Sequence, residues 1–248
     1  MNQSFYTGAV GAQQQLQHLH VQGNNIANVN TYGYKAQRAD FSALMHQNMR
    51  GIEEQLPAGV GTRMLMTATN FHQGGVANTE RELDYMIDGE GFFALVDMAS
   101  GEITFTRDGS FTKAEYLLDS GEVDEMGEPI MEKVYYLSDG NGRFVLSTEG
   151  GMIELNEDTD AELLPVGIFD YGNYDGMMRL SENRYLPIDK NGGLLIGTGR
   201  LVHGALELSN ADLADELTQV IEAQRAYGLA LKVVQTSDEI ETTINGLR

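Results

Sequence analysis

The segment whose residues most resemble a chemical site is Gly89-Glu90-Gly91-Phe92-Phe93-Ala94. Its spacing fits the G-x-G-x-x-A part of a dinucleotide-binding fingerprint, in which a helix that begins at the glycines binds the pyrophosphate. Here the glycines are followed by Phe92–Val96, an apolar run typical of a strand, so the motif lacks the helix that it needs. We therefore interpret Asp88–Gly91 as a hairpin turn and expect no nucleotide cofactor.

The other residues that could carry chemistry do not form a metal or nucleophile pattern. His18 and His20 are two residues apart, so on a helix their rings point in different directions and cannot share a metal ion. The segment Asp189–Gly192 begins like a calcium loop, but no glutamate follows at the closing position. Cysteine is absent, and no serine lies in a G-x-S-x-G elbow. The sequence favours a protein that is not an enzyme and holds no cofactor or metal, although a carboxylate pair of the glycosidase type stays open.

The charge pattern restricts the partners. The formal net charge is −21, and the acidic residues are concentrated in the middle of the chain, while residues 1–50 are close to neutral. An acidic surface repels nucleic acid and anionic lipid, so we expect neither as a partner. No apolar run approaches the roughly 18 residues that cross a bilayer, and residues 1–20 lack the basic and apolar regions of a cleaved signal peptide. We expect no insertion into a lipid bilayer, and any export to occur without signal cleavage.

The first element that could position a functional surface is an amphipathic N-terminal helix. Over residues 3–28, apolar or small side chains recur in steps of four and three, which is the near-heptad period of a helix that packs against another helix. These residues are Phe5, Ala9, Ala12, Leu16, Leu19, Gly23 and Ile26. A shorter second helix is predicted from the spacing of Phe41, Leu44, Met45 and Met49.

The C-terminal segment predicts a second long helix. Ser209 is expected to cap it, with Asp212 three residues later completing a capping box. Its apolar stripe, in which Gln224 occupies one position, comprises Leu213, Leu217, Val220, Tyr227, Leu231 and Val234, and it continues after a shift of phase at Ile240, Ile244 and Leu247. Because neither helix can bury its stripe alone, we expect the two helices to pair in a coiled-coil-like segment or to pack against helices of neighbouring subunits.

Between the helices the chain has the pattern of a β-domain. Short β-like runs such as Ile103–Thr106 and Arg143–Leu146 are separated by turn signals such as Asp108-Gly109 and Asn141-Gly142. The expected fold class is α+β, with a central antiparallel β-domain inserted between the terminal helices. The expected divisions are an N-terminal helical segment at 1–50, an extended linker or β-hairpin region at 51–82, a β-rich domain at 83–204 and a C-terminal helical segment at 205–248.

Both ends carry a family resemblance. Asn24–Lys35 resembles the N-N-x-A-N-x-x-T-x-G-[FY]-K motif of bacterial flagellar rod and hook proteins. Leu206–Leu213 resembles the L-E-x-S-N-V-D-L segment before the last helix of that family, and Glu222–Tyr227 looks like its A-Q-R-A-Y core. In the middle, Leu83–Phe93 and Phe105–Phe111 are similar to rod-protein segments. The resemblance covers roughly residues 1–111 and 166–248 and departs over 112–165, where an acidic stretch replaces the usual pattern.

The resemblance implies a structural subunit of the flagellar basal-body rod. Such a subunit is exported through the flagellar type III apparatus, assembles helically with itself and with other rod and hook subunits, and transmits torque to the hook. The linker Gln55–Thr62 looks like that of distal rather than proximal rod proteins. A proximal rod protein or a hook protein is the alternative within the family. A wall-degrading enzyme and a secreted β-domain adhesin are the alternatives outside it.

The resemblance and the two stripes together predict an assembly interface. Tyr32 and Tyr34 are expected to anchor the chain on a neighbour, and Arg225 to pair with a carboxylate of an adjacent subunit. The alternative for each is packing within its own subunit. The expected interface consists of Phe5, Ala9, Ala12, Leu16, Leu19, Asn25, Ile26, Asn28, Thr31, Gly33, Tyr34, Ser209, Asn210, Leu213, Leu217, Val220, Gln224, Arg225, Tyr227, Leu231 and Val234.

Overall fold

A computed structural model describes residues 3–43, 46–49, 56–59, 62–123, 129–156, 160–181 and 183–247. The chain divides into two compact units. The helical unit comprises Met1–Val29, Ala36–Asn70 and Ala211–Arg248, and the β-rich unit comprises Asn30–Lys35 and Phe71–Asn210. The fold is therefore α+β, with a helix at each end and a β-rich region between them, as predicted.

The helical unit contains the two long helices, α1 at Gln3–Ala27 and α2 at Leu213–Gly246. The expected capping box at Ser209 is wrong, because the N-cap of α2 is Asp212. Asp212 lies directly before the first helical residue, and its carboxylate accepts hydrogen bonds from the backbone N–H of Ala214 at 2.8 Å and of Asp215 at 3.4 Å. These bonds satisfy two of the N–H groups that the first turn of a helix leaves unpaired.

The helical unit also contains four strands: β1 at Gln37–Ala43, β2 at His46–Met49, β3 at Leu56–Gly59 and β4 at Thr62–Thr69. β1 pairs with β4 and β2 with β3, both antiparallel. The short helix predicted from Phe41 and Met49 is therefore wrong, while Leu44 and Met45 lie outside the described residues. Phe41 lies opposite Met64 and Met49 opposite Leu56, so pairing between strands overrides a helical spacing that only a few residues support.

The β-rich unit is antiparallel throughout its described strand pairs. A seven-stranded sheet has the order β13-β14-β8-β7-β11-β10-β9, and three two-stranded sheets pair β12 with β15, β16 with β6 and β17 with β5. The strands are β5 Val76–Asn78, β6 Tyr85–Asp88, β7 Phe93–Asp97, β8 Ile103–Thr106, β9 Thr112–Val123, β10 Pro129–Ser138, β11 Arg143–Val145, β12 Phe169–Tyr171, β13 Met178–Arg179, β14 Arg184–Leu186, β15 Leu194–Ile196, β16 Arg200–His203 and β17 Ala205–Glu207. Short 3₁₀ turns occupy Ala161–Leu163 and Asp189–Asn191.

Each face of the large sheet packs on its own core. Phe93 and Leu95 of β7 belong to one buried apolar cluster, and Ala94 between them belongs to the other. This alternation follows from the two-residue period of a strand. The second cluster is rich in aromatic rings, among which Phe92 and Tyr185 lie 6.0 Å apart between ring centroids.

The segment Asp88–Gly91 is not the predicted hairpin turn. β6 ends at Asp88 and pairs with β16, whereas β7 pairs with β8 and β11, so the segment connects two different sheets. Gly91 has φ +127°, and a Cβ there would lie 2.5 Å from a methyl group of Ile168, which explains the glycine. The glycines are followed by the strand β7, as the sequence predicted for Phe92–Val96.

In the part of the chain that the structure describes, neither α1 nor α2 has an apolar stretch that could cross a bilayer. Among the same residues, no group of three or more histidine or acidic side chains is arranged to hold a metal ion.

Candidate assembly interface

Within the helical unit, polar side chains join helices α1 and α2, while Val234 of the predicted α2 stripe and Ala230 face Gly8 and Gly11 of α1. Gln22 Nε2 donates to Gln219 Oε1 at 2.8 Å, and Asn25 Nδ2 donates to Glu216 Oε1 at 2.8 Å. Near the other end, the hydroxyl of Ser237 lies 3.3 Å from that of Ser4. Residue numbers rise along α1 as they fall along α2, so the two helices run antiparallel.

Glycines allow the two backbones to approach closely. A Cβ on Gly8 would lie 3.0 Å from Val234 Cγ2 and 3.3 Å from the carbonyl oxygen of Ala230. A Cβ on Gly11 would lie 3.9 Å from that of Ala230. The side of α1 that faces α2 is thus built from Ser4, Gly8, Gly11, Gln22 and Asn25, which are small or polar residues and not the predicted apolar ones.

The predicted apolar stripe lies one residue further along α1. Phe5, Ala9 and Ala12 each follow a residue of the contact side, and one residue turns a helix by about 100°. Phe5 and Leu16 are 36% and 42% exposed, and Ala9 is exposed as well. Ala12 is buried, whereas Leu19 and Ile26 are half-buried. The stripe therefore points mainly away from the contact with α2, and several of its side chains are open to a further partner.

The apolar stripe of α2 is similarly exposed. Leu213, Leu217 and Leu231 are 45%, 47% and 39% exposed. The buried positions of α2 are instead Glu216, Ala223 and Ser237, which are separated by seven and fourteen residues. Of the other predicted residues, Gln224 and Arg225 are exposed, and Val220, Tyr227 and Val234 are half-buried. Further exposed apolar side chains on this helix are Ile221, Leu229, Val233, Ile240 and Ile244.

Asn25 and Asn28 hold the end of α1. Asn25 is buried, and its side chain both donates to the carbonyl oxygen of Gln37 at 2.8 Å and accepts from the N–H of Gln37 at 2.9 Å. Asn28 Nδ2 donates to the carbonyl oxygen of Asn24 at 2.8 Å. Both side chains therefore stabilise the local fold of the helical unit.

Most of the predicted interface residues in the β-rich unit are buried or hydrogen-bonded within that unit. Gly33 is buried at φ +64°, Thr31 and Ser209 are half-buried, and Asn210 donates from its backbone N–H to the carbonyl oxygen of Tyr34 at 3.3 Å. Tyr34 is fully buried with the Arg179 guanidinium 4.4 Å from its ring centroid. Its predicted role as an anchor on a neighbour is wrong, because no part of the ring is accessible, whereas the ring of Tyr32 is 37% exposed.

A buried cluster of charges was missed by the sequence analysis. Lys35 and Glu207 form an ion pair with Nζ and Oε1 2.5 Å apart, and Arg107 lies 3.3 Å from the other carboxylate oxygen. All three side chains are at most 4% exposed. Burial lowers the pKa of Lys35, and the charge of Glu207 opposes that shift. The available signal was a charged residue inside each terminal motif, Lys35 in the first and Glu207 in the last.

The contact between α1 and α2 contains a buried carboxylate, that of Glu216, which forms no ion pair with the residues that the structure describes. Glu216 is buried, and no hydrogen-bond donor reaches its Oε2 among the described residues. Burial raises the pKa of Glu216, the hydrogen bond from Asn25 opposes this shift, and the nearby charges of Asp215 and Asp212 reinforce it. The helix pair is thus polar and incompletely satisfied at this point.

The carboxylates of Asp108 and Asp139 also line a small cleft of about 150 Å³ in the β-rich unit. Both carboxylates bind groups of the turns in which they lie. Asp108 accepts hydrogen bonds from the N–H and the hydroxyl of Ser110. Asp139 lies 2.7 Å from Arg143 and accepts the N–H of Asn141. The cleft gives no support to a glycosidase-type pair.

Comparison with known proteins agrees with this structural picture. Residues 5–35 match the family described as "Flagella basal body rod protein", and residues 202–247 match "Flagellar basal body rod FlgEFG protein C-terminal". The chain is 33% identical to the flagellar basal-body rod protein FlgG of Buchnera aphidicola subsp. Schizaphis graminum, over 96% of each chain. It is 32% identical to FlgG of Bacillus subtilis over 97% of each, and 29% identical to FlgG of Borreliella burgdorferi over 100% of this chain and 99% of the relative.

Proposed function

The chain belongs to the flagellar basal-body rod protein family and is a structural protein of the basal body, not an enzyme, and we propose that many copies assemble helically into the distal part of the rod. The assembled rod carries torque from the motor to the hook. Other rod subunits and the hook are the proposed partners at the ends of the assembly. The flagellar type III export apparatus is the proposed route of export.

The exposed apolar stripes of α1 and α2 carry this proposal. Phe5 and Leu16 of α1, and Leu213 and Leu217 of α2, leave more than a third of their side-chain surface in water. Full burial of such a side chain from water contributes roughly 1.5–3 kcal/mol, so covering the exposed third to half against another copy contributes roughly 0.5–1.5 kcal/mol for each residue. An interface that joins unlike patches without closing into a ring generates a filament, which is the form that a rod requires.

We propose that the α1–α2 pair is the coiled-coil-like part of the subunit. Ser4, Gly11 and Asn25 are separated by multiples of seven, as are Gly8 and Gln22, and this spacing supports a heptad contact. In this arrangement the helices first pair within the subunit through small and polar residues. Their apolar stripes then pack against the helices of neighbouring copies.

The proposed assembly part comprises residues 1–50 and 205–248, with 51–82 as an extended linker or hairpin region and 83–204 as the central β-rich domain. Within the first segment, the exposed members of the predicted interface are Phe5, Ala9 and Leu16. The assignment to the distal rod draws support from the relatives named FlgG, which the chain matches along its whole length. The exposed Arg225 is proposed to meet a carboxylate of a neighbouring copy.

Deletion and complementation in the organism that encodes the chain test the proposal. The deletion strain receives the wild-type gene, the double variant Phe5→Ser with Leu16→Ser, or the control Leu163→Ser, which removes a 79% exposed apolar side chain from the β-rich unit. Electron micrographs of purified basal bodies then show the length of the rod.

We expect the wild type and Leu163→Ser to restore complete rods with hooks. The double variant should be produced and exported but give rods that stop short. Intact rods in the deletion strain would refute the function, and complete rods with the double variant would refute the role of the α1 stripe.

A further inference from the structure

The chain passes between the helical unit and the β-rich unit at four points, the bonds 29–30, 35–36, 70–71 and 210–211. The β-rich unit therefore holds the chain at the short segment Asn30–Lys35, at the segment that begins with Phe71 and at the segment that ends with Asn210. A load that passes along the covalent chain from one unit to the other must pass through these three segments. The contacts that fix these segments inside the β-rich unit decide how firmly this unit holds the chain where it crosses.

Glu207 contacts all three of these segments. Its carbonyl oxygen accepts a hydrogen bond from the N–H of Gly33 at 2.8 Å. Its Oε1 accepts from Lys35 Nζ at 2.5 Å and from the N–H of Gly74 at 2.8 Å. Glu207 itself lies in the third segment, three residues before the chain leaves the unit. One residue thus joins every segment through which the chain enters or leaves.

Arg107 connects Glu207 to the core of the β-rich unit. It follows β8, and its NH1 group lies 3.3 Å from Glu207 Oε2. Its NH2 group donates to the carbonyl oxygen of Gly89 at 2.7 Å, and its guanidinium lies 5.5 Å from the ring centroid of Phe92. Phe92 belongs to the aromatic cluster beneath the large sheet. Through Arg107, the three segments are therefore linked to the aromatic core of the unit.

Stability alone does not account for this buried cluster. Removing three charged groups from water is costly, and replacing such groups by apolar side chains of similar volume is often neutral or stabilising. A directional network of charge-assisted hydrogen bonds does fix geometry, because each bond holds its donor and its acceptor in one relative position. Lys35 illustrates this, because its second hydrogen bond goes to the carbonyl oxygen of His72 at 2.8 Å, in the segment that begins with Phe71.

We propose that Glu207 is the positioning residue of a joint inside the β-rich unit, where it fixes the three segments through which the chain crosses to the helical unit. Lys35, Gly74 and Arg107 are its partners in that joint. The proposal rests on the proposed function, because stiffness at this point matters when the subunit transmits torque. Loosening the joint leaves both units folded and the chain continuous but lets the crossing segments move.

Hydrogen exchange of the purified full-length chain tests the joint. Glu207→Gln keeps the shape of the side chain, but its amide N–H group then faces one of the donors Lys35, Gly74 and Arg107. Glu149→Gln is the control, because Glu149 lies at an exposed position of the same unit. Because hydrogen bonds to charged groups contribute strongly, we expect exchange in peptides that contain Gly33 and Gly74 to become faster by on the order of tenfold or more. Exchange in β7 should be the same as in the wild type. In Glu149→Gln, exchange should match the wild type along the whole chain.

Unchanged exchange in the crossing segments of Glu207→Gln would overturn the proposal. An equal increase in β7 would overturn it too, because Glu207 would then stabilise the unit as a whole. If Glu207→Gln does not fold, the same exchange measurement is made on Lys35→Met, with the same two outcomes. This variant removes one partner of Glu207 and leaves its hydrogen bonds with Gly74 and Arg107 in place.

Swimming in media of increasing viscosity provides the cellular measurement. Cells with Glu207→Gln should build complete rods and hooks but lose rotation at a lower viscosity than cells with Glu149→Gln. Equal performance of the two variants on complete rods would refute the joint and leave the function in the rod intact. Complete rods in the absence of the gene would refute the function itself.

Discussion

Asn25 on α1 donates a hydrogen bond from its side-chain amide to Glu216 on α2 at 2.8 Å, and both side chains are buried. The same amide group of Asn25 holds the backbone of Gln37 at the start of β1. One polar side chain therefore ties together both helices and the strand that follows the first of them. The exposed apolar side chains of α1, such as Phe5 and Leu16, take no part in this polar contact and are open to other partners.

The first prediction concerns the pH dependence of the helix pair. Burial raises the pKa of Glu216, so folding favours its neutral form. The contribution of Glu216 to the free energy of unfolding is most favourable in acid. It declines as the pH rises from about 4, the ordinary pKa of a glutamate, through the raised pKa of the folded state. Each pKa unit between the folded and unfolded states corresponds to about 1.4 kcal/mol. Glu216→Gln should therefore unfold at a higher temperature than the wild type at pH 7. Circular dichroism at 222 nm measures the difference.

The matched control for Glu216 is Glu239→Gln, an exposed carboxylate on the same helix. Its melting temperature should follow the wild type at every pH, and the advantage of Glu216→Gln should vanish in acid. An equal advantage of Glu216→Gln at pH 3 and pH 7 would show that its charge is not the cause.

The second prediction tests the close approach of the helices. Gly8→Leu places side-chain atoms where a Cβ already meets Val234 at 3.0 Å, so the helices must separate. Overpacking of this kind costs about 1–3 kcal/mol. Gly23→Leu is the control, because nothing lies within 4 Å of a Cβ there and leucine favours a helix over glycine by roughly 0.8 kcal/mol. The melting temperature of the helical signal should fall for the first variant and rise for the second; a fall of similar size in both would contradict the proposed packing.

The third prediction separates backbone strain from steric clash at Gly33. Gly33 and Gly101 both have positive φ, at +64° and +69°, so alanine at either position costs roughly 1–2 kcal/mol. At Gly33 a Cβ would in addition clash with the backbone N of Asp108, whereas at Gly101 it would meet nothing within 4 Å. Gly33→Ala should therefore destabilise the protein in urea by clearly more than Gly101→Ala. Equal losses would show that the turn can shift to relieve the clash.

The fourth prediction concerns the start of α2. Asp212→Ala removes the side chain that accepts two backbone N–H groups, which should cost about 1 kcal/mol. Ser209→Ala should have a smaller effect, since the cap lies at Asp212. Thermal melts of both variants at one pH make the comparison. A larger loss for Ser209→Ala would restore the capping box that the sequence suggested.

The sequence predicted the existence of both terminal helices, because their stripes repeat over many turns. It did not predict which side of α1 meets α2. Periodicity detects apolar residues, and the residues of this contact, such as Gly8 and Gln22, are small or polar. Their role depends on the facing residues Val234 and Gln219, which a local pattern does not contain.

Long-range pairing limited the prediction of the β-rich unit in the same way. The runs of β7 and β8 were recognisable, but the pairing of β6 with the distant β16 was not, and the hairpin at Asp88–Gly91 was wrong as a result. Lys35 and Glu207 are 172 residues apart, so no spacing rule could join them. Strand existence is largely a local property, whereas strand partners and buried ion pairs are set by the tertiary fold.

The most direct measurement of the central claim is an electron cryomicroscopy map of the purified basal body in which side chains of the rod are resolved. We predict that Phe5, Leu16 and Leu217 are covered by helices of neighbouring copies, while the contact of Gln22 with Gln219 stays within one subunit. A rod in which these three apolar side chains face solvent, or in which this chain is absent, would contradict the account.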